Sequence, residues 1–160
     1  MGSYSHLTYH IVFGTKYRRQ SIHAQLTDQL YEYIGGTIRS HKGHLIEIGG
    51  VEDHLHLLVG QPPTVAISDT IRLVKANASK WVNENRDNKH HRNTSDKFEW
   101  QIGFGAFTVS YSQIDVVRKY IQNQKEHHRT KTFEEECIEL LQRHNIAFKR
   151  EHLFEGEHSG

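Results

Sequence analysis

The chain has 160 residues, 36% hydrophobic and 24% charged, a composition that suits one folded domain over residues 1–160 and excludes a disordered chain. We expect a cytoplasmic protein with no membrane partner, because no apolar run approaches the roughly 18 residues of a membrane span, no signal-peptide pattern is present, and the one cysteine, Cys137, excludes an internal disulfide. A net charge of +1 argues against the broad basic surface of many duplex-binding domains, so any nucleic-acid contact would come from local clusters.

The first half of the chain has the pattern of a strand, a helix and a β-hairpin. Apolar side chains alternate over residues 7–13, which predicts a strand. Between residues 21 and 41 the apolar residues recur at helical spacing. Residues 44–51 and 54–60 then predict two strands, with a bend or bulge at the Gly-Gly pair inside the first of them. Their close spacing indicates an antiparallel hairpin.

The middle of the chain predicts a second helix, a polar loop and a fourth strand. Ser68 can cap a helix whose apolar residues share one face, namely Ile71, Val74, Ala78, Trp81 and Val82. Residues 86–97 form a polar block without periodicity, which predicts a mobile loop. Apolar and aromatic residues return after this block, and we place a strand at residues 106–109.

The last part of the chain predicts two helices and completes the fold. A Ser-x-x-Asp sequence beginning at Ser112 resembles a capping box, and it predicts the start of a helix that carries Tyr120 and Gln124. A final helix covers about residues 133–144. The order β-α-β-β-α-β-α predicts an α+β fold, a ferredoxin-like antiparallel sheet with helices packed on one face and Tyr120 on a C-terminal helix.

A His-Leu-His sequence inside the third predicted strand is the first candidate site. His54 and His56 are two residues apart, so their side chains share a face of the sheet. One interpretation is that they are polar residues on an open sheet face. Their neighbours are apolar, however, and burying two imidazoles without partners would cost a few kcal/mol. A bound transition metal such as Mn or Zn would offset that cost.

Tyr120 and Gln124 are the second candidate pair. They are spaced i, i+4, which places them on one face of a helix. A tyrosine on an amphipathic helix is usually a core residue, and the pair gains significance only together with the two histidines. A phenol nucleophile and an amide oxygen facing an imidazole pair would suit metal-assisted phosphoryl transfer.

Together these motifs resemble a known family. The sequences Asp53-His54-Leu55-His56-Leu57-Leu58 and Tyr120-Ile121-Gln122-Asn123-Gln124 are similar to those of insertion-sequence transposases of the HUH, single-tyrosine class, which include IS200-like and REP-associated tyrosine transposases. Further likeness lies at residues 9–19 and 103–110 and at Glu126-His127-His128. The resemblance extends over about residues 4–154.

The resemblance implies a chemistry for each residue of the two motifs. His54 and His56 would be metal ligands, and Gln124 would be a third through its amide oxygen. The metal would be Mg²⁺ or Mn²⁺, and it would stabilise the charge that develops on a scissile phosphate. Tyr120 would attack that phosphate, giving a 5′-phosphotyrosine link and a free 3′-hydroxyl. Asp53 would orient a histidine or approach the metal, or else serve only as a turn residue.

The resemblance also implies the partners of the protein. Such transposases act on single-stranded DNA with short hairpins at the ends of the element. They work as homodimers in which the tyrosine helix of one subunit can complete the other subunit's site. For DNA contact we favour Lys16, Arg18 and Arg19, with Tyr17 available to stack on an unpaired base. A solvated, charged turn is the alternative for this cluster.

Two other functions remain open on the sequence. The first is an HUH nuclease that initiates replication or conjugation, although such proteins commonly carry extra domains. The second is a domesticated DNA-binding protein that keeps the fold without cleaving DNA. Glu52 also departs from many relatives, which have proline there, but this change affects the turn before His54 rather than the chemistry.

Overall fold

The computed structural model describes residues 1–86 and 97–154. Its strands and α-helices, in chain order, are β1 (Thr8–Gly14), α1 (Ala24–Ser40), β2 (His44–Val51), β3 (His54–Gly60), α2 (Ile67–Asn85), β4 (Gly105–Thr108), α3 (Ile114–Gln122), α4 (Gln124–His127) and α5 (Phe133–Arg143). Among the described residues, no helix has the length and apolar character that crossing a membrane requires. Most of the predicted polar block lies outside the described ranges.

The four strands form one antiparallel sheet in the order β2-β3-β1-β4. This order, with a helix between β1 and β2 and another between β3 and β4, confirms the predicted ferredoxin-like α+β fold. Strand β3 is central and all seven of its residues are buried. Burial on both faces explains why its sequence reads as an almost continuous apolar run.

One face of the sheet is covered by α1 and α2. Alternate residues of the two central strands, including Ile11 and Leu57, point toward these helices and form the larger apolar core with Ile34 and Val74. The helices pack side by side across the strands. We call this side the apolar face.

The opposite face is covered by α3, α4 and α5. Val12 and Phe107 of the sheet pack against Phe133 and Leu140 of α5, and Leu58 packs against Ile121 of α3. The prediction of helices on one face therefore applies only to α1 and α2. The C-terminal helices carry their own apolar residues, and these cover the second face, which we call the site face.

Two predicted helix caps differ from the structure. Ala66 precedes α2 without a side-chain cap, and Ser68 lies inside the first turn. The segment Tyr111–Gln113 winds as a 3₁₀ turn before α3, so Ser112 is not at the N-cap position and no capping box forms there. A complete capping box occurs instead before α5, between Thr132 and Glu135.

The β2-β3 hairpin forms as predicted, but the irregularity in it lies elsewhere. The register shifts between Leu45 and Glu47 and not at the glycine pair. Gly49 lies where β2 and α3 approach each other closely, because a Cβ atom at this position would overlap the carbonyl oxygen of Ile121. A side chain at this position would therefore push α3 away from the sheet.

Candidate active site

Three histidines from the two central strands lie together on the site face. His54 and His56 of β3 are fully buried, and their ring centroids are 5.2 Å apart. His10 of β1 lies beside them, with its Nε2 atom 2.7 Å from His56 Nδ1. The two-residue period of the strands puts all three imidazoles on the side opposite α1 and α2. The interpretation of His54 and His56 as residues of an open sheet face is therefore wrong.

The side chains of Tyr120 and Gln124 lie next to these imidazoles on the site face. The ring of Tyr120 has its centroid 5.7 Å from that of His56, and Gln124 Oε1 lies 3.1 Å from His54 Nε2. The two residues are not on one continuous helix as predicted, because α3 ends and α4 begins around Asn123. Both side chains nevertheless point into one site, and they do so within a single chain.

Glu136 of α5 lies at the centre of this group and is 1% exposed. Its Oε1 atom is 2.7 Å from His56 Nε2 and 3.2 Å from His54 Nε2. Its other oxygen, Oε2, accepts hydrogen bonds from the Tyr120 hydroxyl and from Gln124 Nε2. A single carboxylate thus contacts the candidate nucleophile and all three of the predicted metal ligands.

Two further contacts fix the orientation of the imidazoles. His54 Nδ1 lies 2.6 Å from Asp53 Oδ1, so the acidic residue is placed to orient the ring, one of the roles considered for it. His128, which follows α4, has its Nε2 atom 3.2 Å from Glu136 Oε1 and 3.1 Å from Gln124 Oε1. The ring of Phe133 stacks on His54 at a centroid distance of 4.2 Å and shields that side of the site.

Burial and charge shift the ionisation of these groups in different directions. Burial acts to lower the pKa of His54, but its hydrogen bonds with Asp53 and Glu136 raise the pKa to about 9. His10 is also buried, and beside His56 its pKa falls to about 3. Burial acts to raise the pKa of Glu136, but hydrogen bonds from the surrounding imidazoles outweigh it and hold the pKa well below its usual range. The site therefore combines a charged carboxylate with a protonated imidazole at neutral pH.

The hydroxyl of Tyr120 is the group whose ionisation matters most for nucleophilic chemistry. Burial, together with the neighbouring charge of Glu136, raises the pKa of Tyr120 well above its ordinary value. Without a cation the residue is a neutral phenol and a weak nucleophile. A nearby positive charge would lower the pKa of the hydroxyl and favour the phenolate.

The donor set fits a divalent cation. Ligand atoms of His54, His128 and Glu136 all lie within 4.8 Å of one another. The amide oxygen of Gln124 is about as close to both imidazoles as they are to the carboxylate. Imidazole nitrogens with carboxylate and amide oxygens suit Mn²⁺ and related metals, and Mg²⁺ less well because it prefers oxygen ligands.

The predicted DNA-contact cluster lies close to this site but is partly engaged. Lys16 pairs with Glu99 at 3.0 Å, and the guanidinium of Arg18 stacks on the Phe154 ring. Arg19 lies over the ring of Tyr17, which is 42% exposed. The backbone of the cluster turns through positive φ at Tyr17 and Arg18, so the segment forms a tight turn and not a strand extension.

A groove connects this turn with the imidazoles. Its lining includes Arg18, Asp53, Lys125, His128 and Arg129. Its lining also includes Glu52, Glu134 and Glu135, and Arg129 pairs with Glu126 at 3.0 Å, so acidic side chains balance the basic ones of the groove. Of the site residues, Asp53, His128 and Phe133 line the groove, whereas the buried His54 and His56 do not.

The sequence analysis gave no role in the site to His10, His128 or Glu136, although His10 and His128 lie in stretches that resemble the family. His10 is one of 14 histidines, and its position opposite Leu58 follows only from strand pairing. The signal for Glu136 was available: it lies between Phe133 and Leu140 on the buried side of an amphipathic helix. A carboxylate on such a face is rarely buried without a partner.

Comparisons with known proteins identify relatives of this chain. The family model described as "Transposase IS200 like" matches residues 3–124. The transposase for insertion sequence element IS200 of Salmonella typhimurium is 25% identical over 118 residues, 74% of this chain and 76% of that protein. The ISDra2 transposase TnpA of Deinococcus radiodurans is 24% identical over 118 residues, 74% of this chain and 84% of that protein.

Solved structures share the fold. A crystal structure of a Deinococcus radiodurans protein assigned to the transposases has a TM-score of 0.62 at 24% identity, over 78% of this chain and 95% of that one. A REP-associated tyrosine transposase bound to a REP hairpin has a TM-score of 0.56 at 17% identity, over 80% of this chain and 74% of that one. His128 and Glu136 lie beyond residue 124, the last residue of the family match.

Proposed function

The chain belongs to the IS200-like transposase family, and on that premise we propose that it cleaves and rejoins single-stranded DNA at hairpin-bearing ends through a phosphotyrosine intermediate. The observation that carries the proposal is the convergence of Tyr120 on His54, His56 and Gln124 within one chain. The hairpin substrate is supported by the structural neighbour that is bound to a REP hairpin.

His54, His56 and Gln124 would hold a Mg²⁺ or Mn²⁺ ion. When bound, the cation polarises the scissile phosphate and stabilises the charge that develops on it. The chain's own residues prepare the site for this. Asp53 fixes the orientation of the His54 ring, and His10 Nε2 contacts His56 Nδ1. The closed face under α3 and α5 keeps water from the imidazoles, since His54 and His56 have no exposed surface.

Tyr120 would carry out the covalent step. Its hydroxyl oxygen forms a bond to phosphorus while the bond from phosphorus to the 3′-oxygen breaks, leaving a 5′-phosphotyrosine and a free 3′-hydroxyl. The Tyr120 hydroxyl donates a hydrogen bond to Glu136 Oε2, and the proton that the phenol loses is balanced by the one that the departing 3′-oxygen gains. Because the phosphodiester energy is kept in the tyrosyl link, attack by another 3′-hydroxyl rejoins the DNA without ATP.

The single strand would enter along the groove beside the basic turn. Tyr17 offers an exposed ring for an unpaired base, and Arg18 lines the groove that leads to Asp53 and His128. Lys16 Nζ and the Arg19 guanidinium carbon lie 5.6 and 5.1 Å from the centroid of the Tyr17 ring. We assign these residues to the backbone and base contacts of the strand rather than to hairpin recognition.

The central experiment is covalent trapping. Purified protein with Mg²⁺ or Mn²⁺ and a single-stranded hairpin substrate is expected to give an SDS-stable adduct, and Tyr120→Phe is expected to abolish it while hairpin binding, followed by fluorescence anisotropy, persists. Tyr111→Phe is the matched control because Tyr111 is 80% exposed, and its adduct yield should equal that of the wild type. Peptide mapping of the adduct identifies the linked residue and the polarity of the link.

The outcomes separate the competing functions. An adduct of undiminished yield from Tyr120→Phe would remove Tyr120 from its role. Hairpin binding by the wild type without cleavage under any metal condition would favour a domesticated DNA-binding protein. Cleavage without rejoining to a second 3′-hydroxyl would favour a nuclease that initiates replication or conjugation.

We also propose that the protein works as a homodimer. Tyr120 and the imidazoles meet within one chain, so each subunit could act in cis. A mixture of Tyr120→Phe and His56→Ala proteins tests this directly. Recovery of adduct in the mixture would show that the tyrosine of one subunit serves the imidazoles of the other, and light scattering gives the oligomeric state independently.

A further inference from the structure

Three imidazoles present the same ring nitrogen to one oxygen atom. The Nε2 atoms of His54, His56 and His128 lie 3.2, 2.7 and 3.2 Å from Glu136 Oε1. Ligand atoms held about 2.1 Å from an ion in an octahedral shell lie roughly 3 Å from one another. Each nitrogen is therefore at ligand spacing from this oxygen, and the ligand atoms of His54, His128 and Glu136 also lie within 4.8 Å of one another.

The other ring nitrogen of each imidazole is engaged by a separate group. His54 Nδ1 lies 2.6 Å from Asp53 Oδ1, His128 Nδ1 lies 2.7 Å from the Lys131 carbonyl oxygen, and His56 Nδ1 lies 2.7 Å from His10 Nε2. A histidine that binds a metal typically donates its second N–H to a carboxylate or a backbone carbonyl. His54 and His128 show this pattern, which fixes the proton on Nδ1 and leaves Nε2 facing the centre.

A count of donors and acceptors shows what the centre lacks. An imidazole that binds a metal is neutral and has one N–H to donate, which in His54 is directed at Asp53 and in His128 at the Lys131 carbonyl oxygen. Their Nε2 lone pairs then face Glu136 Oε1 and Gln124 Oε1, which are also acceptors. Several acceptors around one point require either added protons or a cation. Without a cation, His54 also carries a proton on Nε2. One divalent ion would replace two protons and leave the charge balanced.

We infer that Glu136 and His128 are ligands of the cation in addition to His54, His56 and Gln124, the proposed set. The inference rests on the proposed function for the presence of the ion. It adds two residues from the segment beyond the family match, which ends at residue 124. Three imidazole nitrogens in the set favour Mn²⁺ over Mg²⁺.

This assignment gives α5 a specific role. Glu136 Oε1 faces the imidazoles while Oε2 accepts the Tyr120 hydroxyl, so one carboxylate connects the ion to the nucleophile. The capping box at Thr132 fixes the start of the helix one turn before Glu136. The position of the ion and the position of the phenol are therefore set by the same side chain.

Metal titration of the full-length protein tests the inference without DNA cleavage. Isothermal titration with Mn²⁺ is expected to show weaker binding for Glu136→Gln and for His128→Gln than for the wild type, by more than the roughly 100-fold at most that loss of an outer-shell partner typically costs. Glu139→Gln is the matched control: Glu139 lies on the same helix, is partly exposed and pairs with Lys131, so its variant should bind like the wild type. Pulsed EPR of bound Mn²⁺ should lose one coupled imidazole nitrogen in His128→Gln.

Melting curves in EDTA show whether each variant is folded before it is titrated. If Glu136→Gln does not fold, Glu136→Asp takes its place, because it keeps the charge but withdraws the carboxylate by one methylene. It is expected to bind Mn²⁺ more weakly than the wild type for that reason. Unchanged affinity in Glu136→Asp would count against the inference as directly as unchanged affinity in Glu136→Gln.

The possible results distinguish this inference from the proposed function. Wild-type affinity in both Glu136→Gln and His128→Gln, with weak binding by His54→Ala and Gln124→Ala, would overturn the inference and leave the proposed ligand set intact. Tighter binding by Glu136→Gln would show that the carboxylate competes with the ion. Failure of the wild type to bind Mn²⁺ or Mg²⁺ would overturn the inference and the metal dependence of the proposed function together.

Discussion

Strand β3 is buried on both faces of the sheet, but its two faces carry side chains of different chemistry. In β3, Leu55 and Leu57 point to the apolar face, while His54 and His56 point to the site face. The apolar face is closed by two long helices, α1 and α2, with side chains that need no partners. On the site face, nearly every buried polar atom around Glu136 has a specific partner.

This difference shows that burial alone does not identify a core. Burying an apolar side chain stabilises the protein in proportion to the area removed from water, wherever its neighbours lie. Burying an imidazole or a carboxylate stabilises it only when each polar atom meets a partner of the right kind. We therefore expect substitutions on the apolar face to change stability, and those on the site face to change ion binding.

The largest expected effect on stability is at the centre of the apolar face. Leu57→Ala should lower the free energy of unfolding by about 2–5 kcal/mol, because it leaves a cavity between the sheet and α1 and α2. Denaturant titration in EDTA measures the loss. At temperatures where the variant is folded, its Mn²⁺ affinity should match that of the wild type. A loss of affinity as large as that of a ligand variant would show that the two faces are not independent.

A smaller effect is expected at the edge of the site. Asp53→Ala should weaken Mn²⁺ binding by about 10- to 100-fold, because His54 loses the acceptor that fixes its tautomer and ring orientation. Asp53→Asn is the matched variant, since its amide oxygen can still accept from His54 Nδ1, and it should retain more of the affinity. Equal losses in the two variants would mean that the charge of Asp53, and not its hydrogen bond, supports the ion.

The smallest effect concerns the helix that carries Glu136. Thr132→Ala removes the cap of α5 and should cost about 0.5–2 kcal/mol of stability. Thr132→Ser keeps the hydroxyl acceptor for the backbone N–H of Glu135, so it should restore most of the loss. Thermal unfolding of the two variants side by side measures the difference. If Thr132→Ala were as stable as the wild type, packing of Phe133 and Leu140 alone would hold α5 in place.

The sequence predicted the fold well because its strands and helices have clear periodicity. The strands His44–Val51 and His54–Gly60 have the predicted bounds, and the strand order follows from the β-α-β-β-α-β pattern. Errors occurred where the signal was a short polar motif. Ser112 could cap a helix by its residue type, but the local backbone forms a 3₁₀ turn there instead.

Periodicity in the sequence also predicted part of the candidate site. His54, His56, Tyr120 and Gln124 were selected by their spacing, and the structure brings all four together. Their catalytic and metal-binding roles stay predictions that the experiments above test. The break at Asn123 was not predicted, because neither Asn123 nor its neighbours interrupt the helical spacing.

By itself, the sequence determined which residues share a face, because strand and helix periods are local properties of the backbone. It thereby fixed the histidine pair, the tyrosine and the order of the elements. Only the tertiary structure decided that the last helix would cover the second face of the sheet and bring Glu136 to the histidines, 80 residues away from His56 in the chain. The placement of this helix depends on packing between apolar side chains that are distant in the sequence, and local spacing does not encode such packing.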